Sequence, residues 1–381
     1  MMRTVSTRYR GFSLVELMVS MVIGLILMLA VSIMVARQES IRRGVTSGND
    51  LTSNAGYVAY TLDRELRSAG AGFSQATAQS YGCLMHASRD NSQLLPAPEP
   101  FPAPFASLPQ SYRLAPLIVF AGAGTHGSDM IAIAAGNSAL SEAALPVVPK
   151  SAGAGELKLS NTLGMRGGDL LLLSGAGVGC MLQQLSKEFS GGVTQRVTLD
   201  GRYAANTIGD VDVTQFSGSN AFAFMLGNVV GNQPKIQLLG IDTNDTLVSY
   251  DLLQLGSEDT QSLAEGVVDM KVLYGVDMAR GSQKQVTAWI APTAAGFTAA
   301  ELADGSDAAR QNLQHIFAVR VGLVLRSDLV EKTEVTPAQL TLFSDLPADV
   351  HRAYTVPLDT AKQRYRTVEF TVPLRNVRYS R

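Results

Sequence analysis

The sequence predicts an α+β protein: one long N-terminal helix followed by a large β-rich globular head. Three observations carry this. Residues 12–36 form a 25-residue apolar run with one charge, Glu16, and no proline. Apolar residues then recur every three or four positions, at Leu51, Ala55, Val58, Leu62, Leu66 and Ala69. Beyond residue 116, short apolar runs alternate with Gly, Asn and Asp clusters. The first two patterns are helical and the third is that of strands and turns.

Composition agrees. The chain has 381 residues, 46% hydrophobic and 17% charged, with 35 glycines. That is apolar enough for a sizeable core and unlike a disordered chain. Low charge and abundant glycine suit a β-rich, loop-rich domain better than a helical bundle. The formal net charge is −2, and Arg3, Arg8 and Arg10 stand in the first eleven residues without an acid. The remainder is therefore mildly acidic. With no Lys/Arg-rich stretch carrying interleaved aromatics, nucleic acid is not an expected partner.

The N-terminus reads as four consecutive parts. Residues 1–11 are short, basic and polar, and end in Gly11. Residues 12–36 are long enough to span a bilayer as a helix, since about 20 apolar residues suffice. The basic flank predicts that the N-terminal end stays in the cytoplasm and the bulk of the chain crosses. Residues 37–72 continue as an amphipathic helix, with Gly70 and Gly72 as stops. Gly44 and Gly48 are its weak points. Residues 73–381 form the head. An ordinary signal peptide has its small-residue cleavage site after the apolar region. Here Gly11 precedes it, so a cut there removes the leader, keeps the helix and makes Phe12 the first residue.

Glu16 is the unusual residue. A carboxylate inside a bilayer costs on the order of 3 kcal/mol, which makes it a functional candidate. It lies one helical turn after Phe12. Its partner could be its own N-terminal ammonium, or that of a neighbouring subunit, where both charges would be neutralised in a dry core. Alternatively it snorkels to the headgroups.

The stretch Gly11–Val19, G-F-S-L-V-E-L-M-V, resembles the prepilin cleavage and methylation motif of type IV pilins and type II secretion pseudopilins. The resemblance implies that prepilin peptidase cuts between Gly11 and Phe12 and N-methylates Phe12. It also implies that Glu16 aligns the subunit against its neighbour. Further patches are similar to PilW-type minor pilins: LDRELRSAGAGF at Leu62–Phe73, YGC at Tyr81–Cys83 and SLAEGVVDMKVLYGVD at Ser262–Asp277. FAVRVGLVLRS at Phe317–Ser327 and FTVPLRN at Phe370–Asn376 complete the set. The fold implied is pilin-like. The role implied is a minor pilin at or near the tip of a type IV pilus, helping to start assembly and supporting adhesion or motility. Its partners would be other minor pilins, the major pilin, a large tip adhesin and the inner-membrane assembly platform. The protein would first lie in the inner membrane as a single-pass chain with a periplasmic head, then in the extracellular fibre. The J-type minor pseudopilin of type II secretion is the near alternative, and a membrane-anchored periplasmic enzyme or binding protein the distant one.

Cys83 and Cys180 are the two cysteines. An even count in a chain sent out of the cytoplasm predicts a bridge between them, against the alternative of two buried thiols. In the head, Pro96, Pro98, Pro100, Pro102 and Pro104 predict an extended, solvated loop. Strands are expected at Leu117–Phe120, Met130–Ala134, Leu170–Leu173, Met181–Leu185, Val193–Leu199, Ala221–Leu226 and Lys235–Leu239. Others are expected at Leu247–Leu252, Val267–Val276, Val286–Ile290, Ile316–Leu325 and Thr367–Leu374, with a short helical turn at Thr260–Glu265.

Enzyme chemistry is not expected, and neither is a cofactor. GAGTHG at Gly122–Gly127 fits G-x-G-x-x-G, but the following SDMIAIAAG reads as a strand where a dinucleotide site needs a helix. His86, His126, His315 and His351 lack metal-ligand spacing, and Asp242, Asn244 and Asp245 read as a turn in preference to a calcium site. There is no Walker A motif and no nucleophile elbow.

Overall fold

A computed structural model describes Gly11 and residues 13–138, 143–192, 194–280 and 285–378. The chain divides into two units at Thr52/Ser53. One helix, Leu14–Arg67, runs through the division.

In the first unit the helix is apolar on all sides. From Leu14 to Val35 its large hydrophobic residues are exposed. Uninterrupted apolar sequence gives no polar face to present to water. In the second unit, the remaining turns present the predicted stripe: Ala55, Val58, Leu62, Leu66 and Ala69 are buried. Tyr57 and Tyr60 lie on the opposite, exposed side.

The head is built on three antiparallel or mixed sheets. A five-stranded sheet has the order Gln261–Ala264, Leu247–Asp251, Lys235–Ile241, Met130–Ala135, Leu117–Phe120. A four-stranded sheet runs Ala288–Ile290, Val267–Val276, Ile316–Val330, Gln363–Pro373. A six-stranded sheet runs Ser92–Leu95, Met85–Arg89, Gly179–Gln184, Asp169–Gly175, Ala221–Asn228, Leu145–Pro146. Its pairing of Met85–Arg89 with Gly179–Gln184 is parallel. The six-stranded sheet has its own core, around Leu171, Leu173, Met181 and Phe216. The four-stranded sheet packs Val324 and Leu273 against Leu342, Phe343 and Val350.

The helix end is tied to the head by several elements. Gly70 N–H donates to Ala134 O at 2.8 Å, and Asn376 Nδ2 donates to Ser68 O and Ala69 O at 3.1 Å. Gly136 fills the junction between Ala71 and Leu226, where a Cβ would lie 3.0 Å from both carbonyl oxygens. A side chain there would crowd three backbone atoms and force the neighbouring chain to give way, so glycine fits best.

Four sequence expectations change. Thr260–Glu265 is not a helical turn. Gln261–Ala264 is an edge strand, because Leu247–Asp251 offers it a ladder that an isolated turn could not supply. The proline-rich stretch is only partly a solvated loop. Pro98, Pro100 and Pro102 are exposed, but Phe101 and Phe105 are buried with ring centroids 6.1 and 6.5 Å from Tyr250. Burying two aromatic rings outweighs the solvation of the intervening prolines. The expected strands begin only at Leu117, yet the chain before it is also ordered. It holds the hairpin of Met85–Arg89 and Ser92–Leu95, turned at Asp90 and Asn91, both at positive φ. Finally, Val193–Leu199 shortens to a strand at Arg196–Thr198, with Val193 outside the described residues.

Candidate assembly interface

The helix begins at Leu14 with Ser13 before it. The first amides of any helix lack partners within the helix, and a side-chain oxygen can supply them. Here Ser13 Oγ accepts from Glu16 N–H at 3.2 Å, and Glu16 Oε2 accepts from Ser13 N–H at 3.1 Å. This is a reciprocal capping box. Sequence reasoning singled out Glu16 for its charge and missed this local role. The signal was present, since S-L-V-E ahead of an apolar run is the S-x-x-E pattern. The carboxylate also sits in the first helical turn, where the macrodipole favours negative charge. It is exposed, and only one of its oxygens, Oε2, takes part in this local bond. Gly11, five residues earlier, is exposed, while Phe12 and the leader residues 1–10 lie outside the described residues.

From this cap runs the segment that satisfies the length and composition of a membrane span. An 18-residue window of the helix reaches a mean hydropathy of 2.7 with no residue buried. Arg37 ends the apolar run. Glu39 and Arg43 then pair at 3.0 Å, both exposed. Such an i,i+4 pair adds only about 0.3–0.5 kcal/mol.

In the head, Glu65 secures the inner face of the helix. Its carboxylate is buried, pairs with Lys235, and accepts from Gln237 Nε2 at 3.1 Å and Arg64 at 3.1 Å. Burial works against its charge, but the Lys235 ammonium and the Arg64 guanidinium outweigh it and hold Glu65 below the ordinary carboxylate range.

Cys83 and Cys180 form a disulfide with Cα atoms 5.5 Å apart. It stands where the chain leaving the helix meets the six-stranded sheet. Cys180 N–H donates to Leu84 O at 2.8 Å, and Met85 pairs with Cys180 in the parallel ladder. The bridge thus staples a two-residue ladder of little strength of its own.

The GAGTHG loop has a structural use. Strands Leu117–Phe120 and Met130–Ala135 flank it, and between them the loop makes only a single 3-10 turn at Thr125–Gly127, not the α-helix that a dinucleotide site needs. Asp129 Oδ1 accepts from Gly122 N–H at 2.9 Å, and its Oδ2 accepts from Val272 N–H at 2.9 Å. The loop amide thus meets a carboxylate of its own chain, where a phosphate site would leave it open. Burial raises Asp129 above the usual carboxylate range, though Gly122 and Lys271 pull it back. Asp242 caps its own turn, accepting from Asn244 and Thr246 N–H at 2.8 and 2.9 Å, while Asp245 pairs with Arg326. His86 is buried beside Cys180, and His351 bonds to Leu346 O at 2.8 Å. Among the described residues, no three His, Cys, Asp or Glu side chains group to hold a metal ion.

Comparison with known families gives two matches. Residues 6–32 match the prokaryotic N-terminal methylation motif, and residues 224–376 match the family described as Type IV Pilus-assembly protein W. The second match takes in most of the five-stranded and four-stranded sheets. Both agree with the resemblance carried by the residues themselves. No curated protein and no solved structure matches the chain significantly.

Proposed function

We propose that this chain, which carries a prepilin-type N-terminus and a PilW-family region, is a minor pilin that sits at or near the tip of a type IV pilus and helps initiate its assembly. The two family matches support a type IV pilus-related minor pilin and point to a structural role. One observation carries the reading further: the capped Glu16 stands in the first turn of an exposed, apolar helix that begins three residues after Gly11.

The proposed sequence of events follows from that chemistry. The apolar helix holds the chain in the inner membrane with the head in the periplasm. Prepilin peptidase hydrolyses the Gly11–Phe12 bond, leaving a carboxylate on Gly11 and an ammonium on Phe12, which is then methylated. The chain moves from lipid into the fibre at the assembly platform. There the Glu16 carboxylate accepts a hydrogen bond from a neighbour's N-terminal ammonium, so that neither charge is buried alone. A head of about 300 residues is bulky for a repeating subunit, which favours a rare position among other minor pilins, the major pilin and a tip adhesin.

The test is the amount of major pilin sheared from cells lacking this protein. A strong loss, restored by the intact gene, is the expected result. Unchanged pili would reject a role in initiation and favour the pseudopilin of a type II secretion system. Glu16→Ala should be cleaved normally and fail to enter the fibre, and normal incorporation would reject the pairing.

A further inference from the structure

The two ends of the disulfide lie in different surroundings. Cys180 belongs to Gly179–Gln184, an inner strand of the six-stranded sheet. It is paired on both sides, with Ser174 in one ladder and Met85 in the other. It is fully buried. Cys83 stands outside the strands, two residues before Met85, and is half-buried. It lines a cleft of about 630 Å³, and Cys180 does not.

One wall of this cleft is the tip of the hairpin that joins Asp169–Gly175 to Gly179–Gln184. Gly177 stands there at φ +77°, and a Cβ on it would meet nothing within 4 Å. Ala176 beside it is exposed. The tip therefore offers little side chain to close the cleft over Cys83. A volume of this size admits a drug-sized molecule.

Thiol–disulfide exchange needs one sulfur to be reached from outside, so access decides which of the two reacts. We infer that Cys83 is the site of covalent exchange with a small organic thiol or disulfide admitted through this cleft, and that Cys180 is the resolving cysteine. In the reduced chain, the Cys83 thiolate attacks a donor disulfide. One donor sulfur leaves as a thiol, and a mixed disulfide stands on Cys83. Cys180 then gives up its proton and attacks Cys83 Sγ, and the second donor sulfur leaves. The chain's two thiols become the bridge, and the donor takes both electrons and both protons as two thiols. Opening by an outside thiol runs the same path backwards, so both directions pass through the mixed disulfide on Cys83. The resolving step needs little movement, because Cys180 N–H is bonded to Leu84 O at 2.8 Å. This inference stands apart from the pilus assignment, because it rests on the bridge and the cleft alone.

The test uses the full chain in detergent, with glutathione as the probe. The oxidised chain is exposed to reduced glutathione, quenched with acid and mapped by mass spectrometry. Adducts on Cys83 should outnumber those on Cys180 by about tenfold or more. In denaturant, where both sulfurs are open, the preference should disappear. With glutathione disulfide, Cys180→Ser chains should gain the adduct about tenfold faster than Cys83→Ser chains, both having lost the bridge. Ala176→Trp, an exposed change on the cleft wall, should slow the reaction of the native chain about tenfold and leave its melt unchanged. Equal adducts on the two cysteines of the native chain, a majority on Cys180, or no adduct on either would overturn the inference. So would a preference that persists in denaturant, or an Ala176→Trp rate equal to the parent's.

Discussion

Two stretches of one helix, Leu14–Val35 and Ala55–Leu66, have the same backbone and opposite surroundings. In the first, apolar side chains point in every direction, with Leu25 67% and Met28 73% exposed. In the second, Val58, Leu62 and Leu66 are fully buried while Tyr60 across the helix is 65% exposed. Helical geometry is indifferent to the solvent. The distribution of apolar residues around the axis decides it: all round suits lipid or a helical core, and one stripe suits a protein surface. A substitution of the same kind therefore has different consequences in the two stretches.

The largest contrast is expected from alanine at the two kinds of leucine. Leu62→Ala should destabilise the head by about 2–5 kcal/mol, since it opens a cavity in a packed core. Leu25→Ala should leave head stability within about 0.5 kcal/mol. Denaturant melts of both variants in detergent would break the comparison if Leu25→Ala proved equally costly. Next, replacing both cysteines with serine should cost about 2–5 kcal/mol, because the closed loop is long. An unchanged midpoint under oxidising conditions would argue that the ladder at Met85 and Cys180 holds without its staple.

Glu65 offers a smaller, pH-dependent effect. Its carboxyl is held below the ordinary range in the fold, so the stability it contributes is present above its unfolded pKa and is lost as pH falls through the folded one. The parent should lead Glu65→Gln above about pH 5, and the lead should shrink toward zero below about pH 4. A lead that grew on acidification would contradict the assigned direction. Smallest in energy is the cap. Ser13→Ala should weaken the helix start by about 0.5–2 kcal/mol. If Glu16 acts by accepting a neighbour's amine, Ser13→Ala chains should still enter the fibre. If they fail as Glu16→Ala is expected to, the cap itself is what assembly needs.

Legibility followed the range of the forces. The long helix was readable because its period and apolar count are local properties, and Val267–Val276 was readable to the residue. Two short helices, Ala299–Leu302 and Asp307–Gln314, went unread although Thr298–Glu301 forms a capping box and Ser306 caps the second. Their apolar content is too small for a period to emerge. The Asp90–Asn91 turn was a hairpin signal that the polar surroundings hid.

By itself the sequence determined the N-terminal helix, its change from all-round to one-sided hydrophobicity, and the Gly11–Glu16 motif, because each is written in neighbouring residues. The tertiary structure decided that Phe101 and Phe105 leave the proline loop for the core, that Asp129 closes the glycine loop, and that Gln363–Pro373 ends its sheet with one side open. Those outcomes depend on residues distant in the chain meeting in space. A strand's neighbours are set by the packing of the whole head, and no local pattern records them.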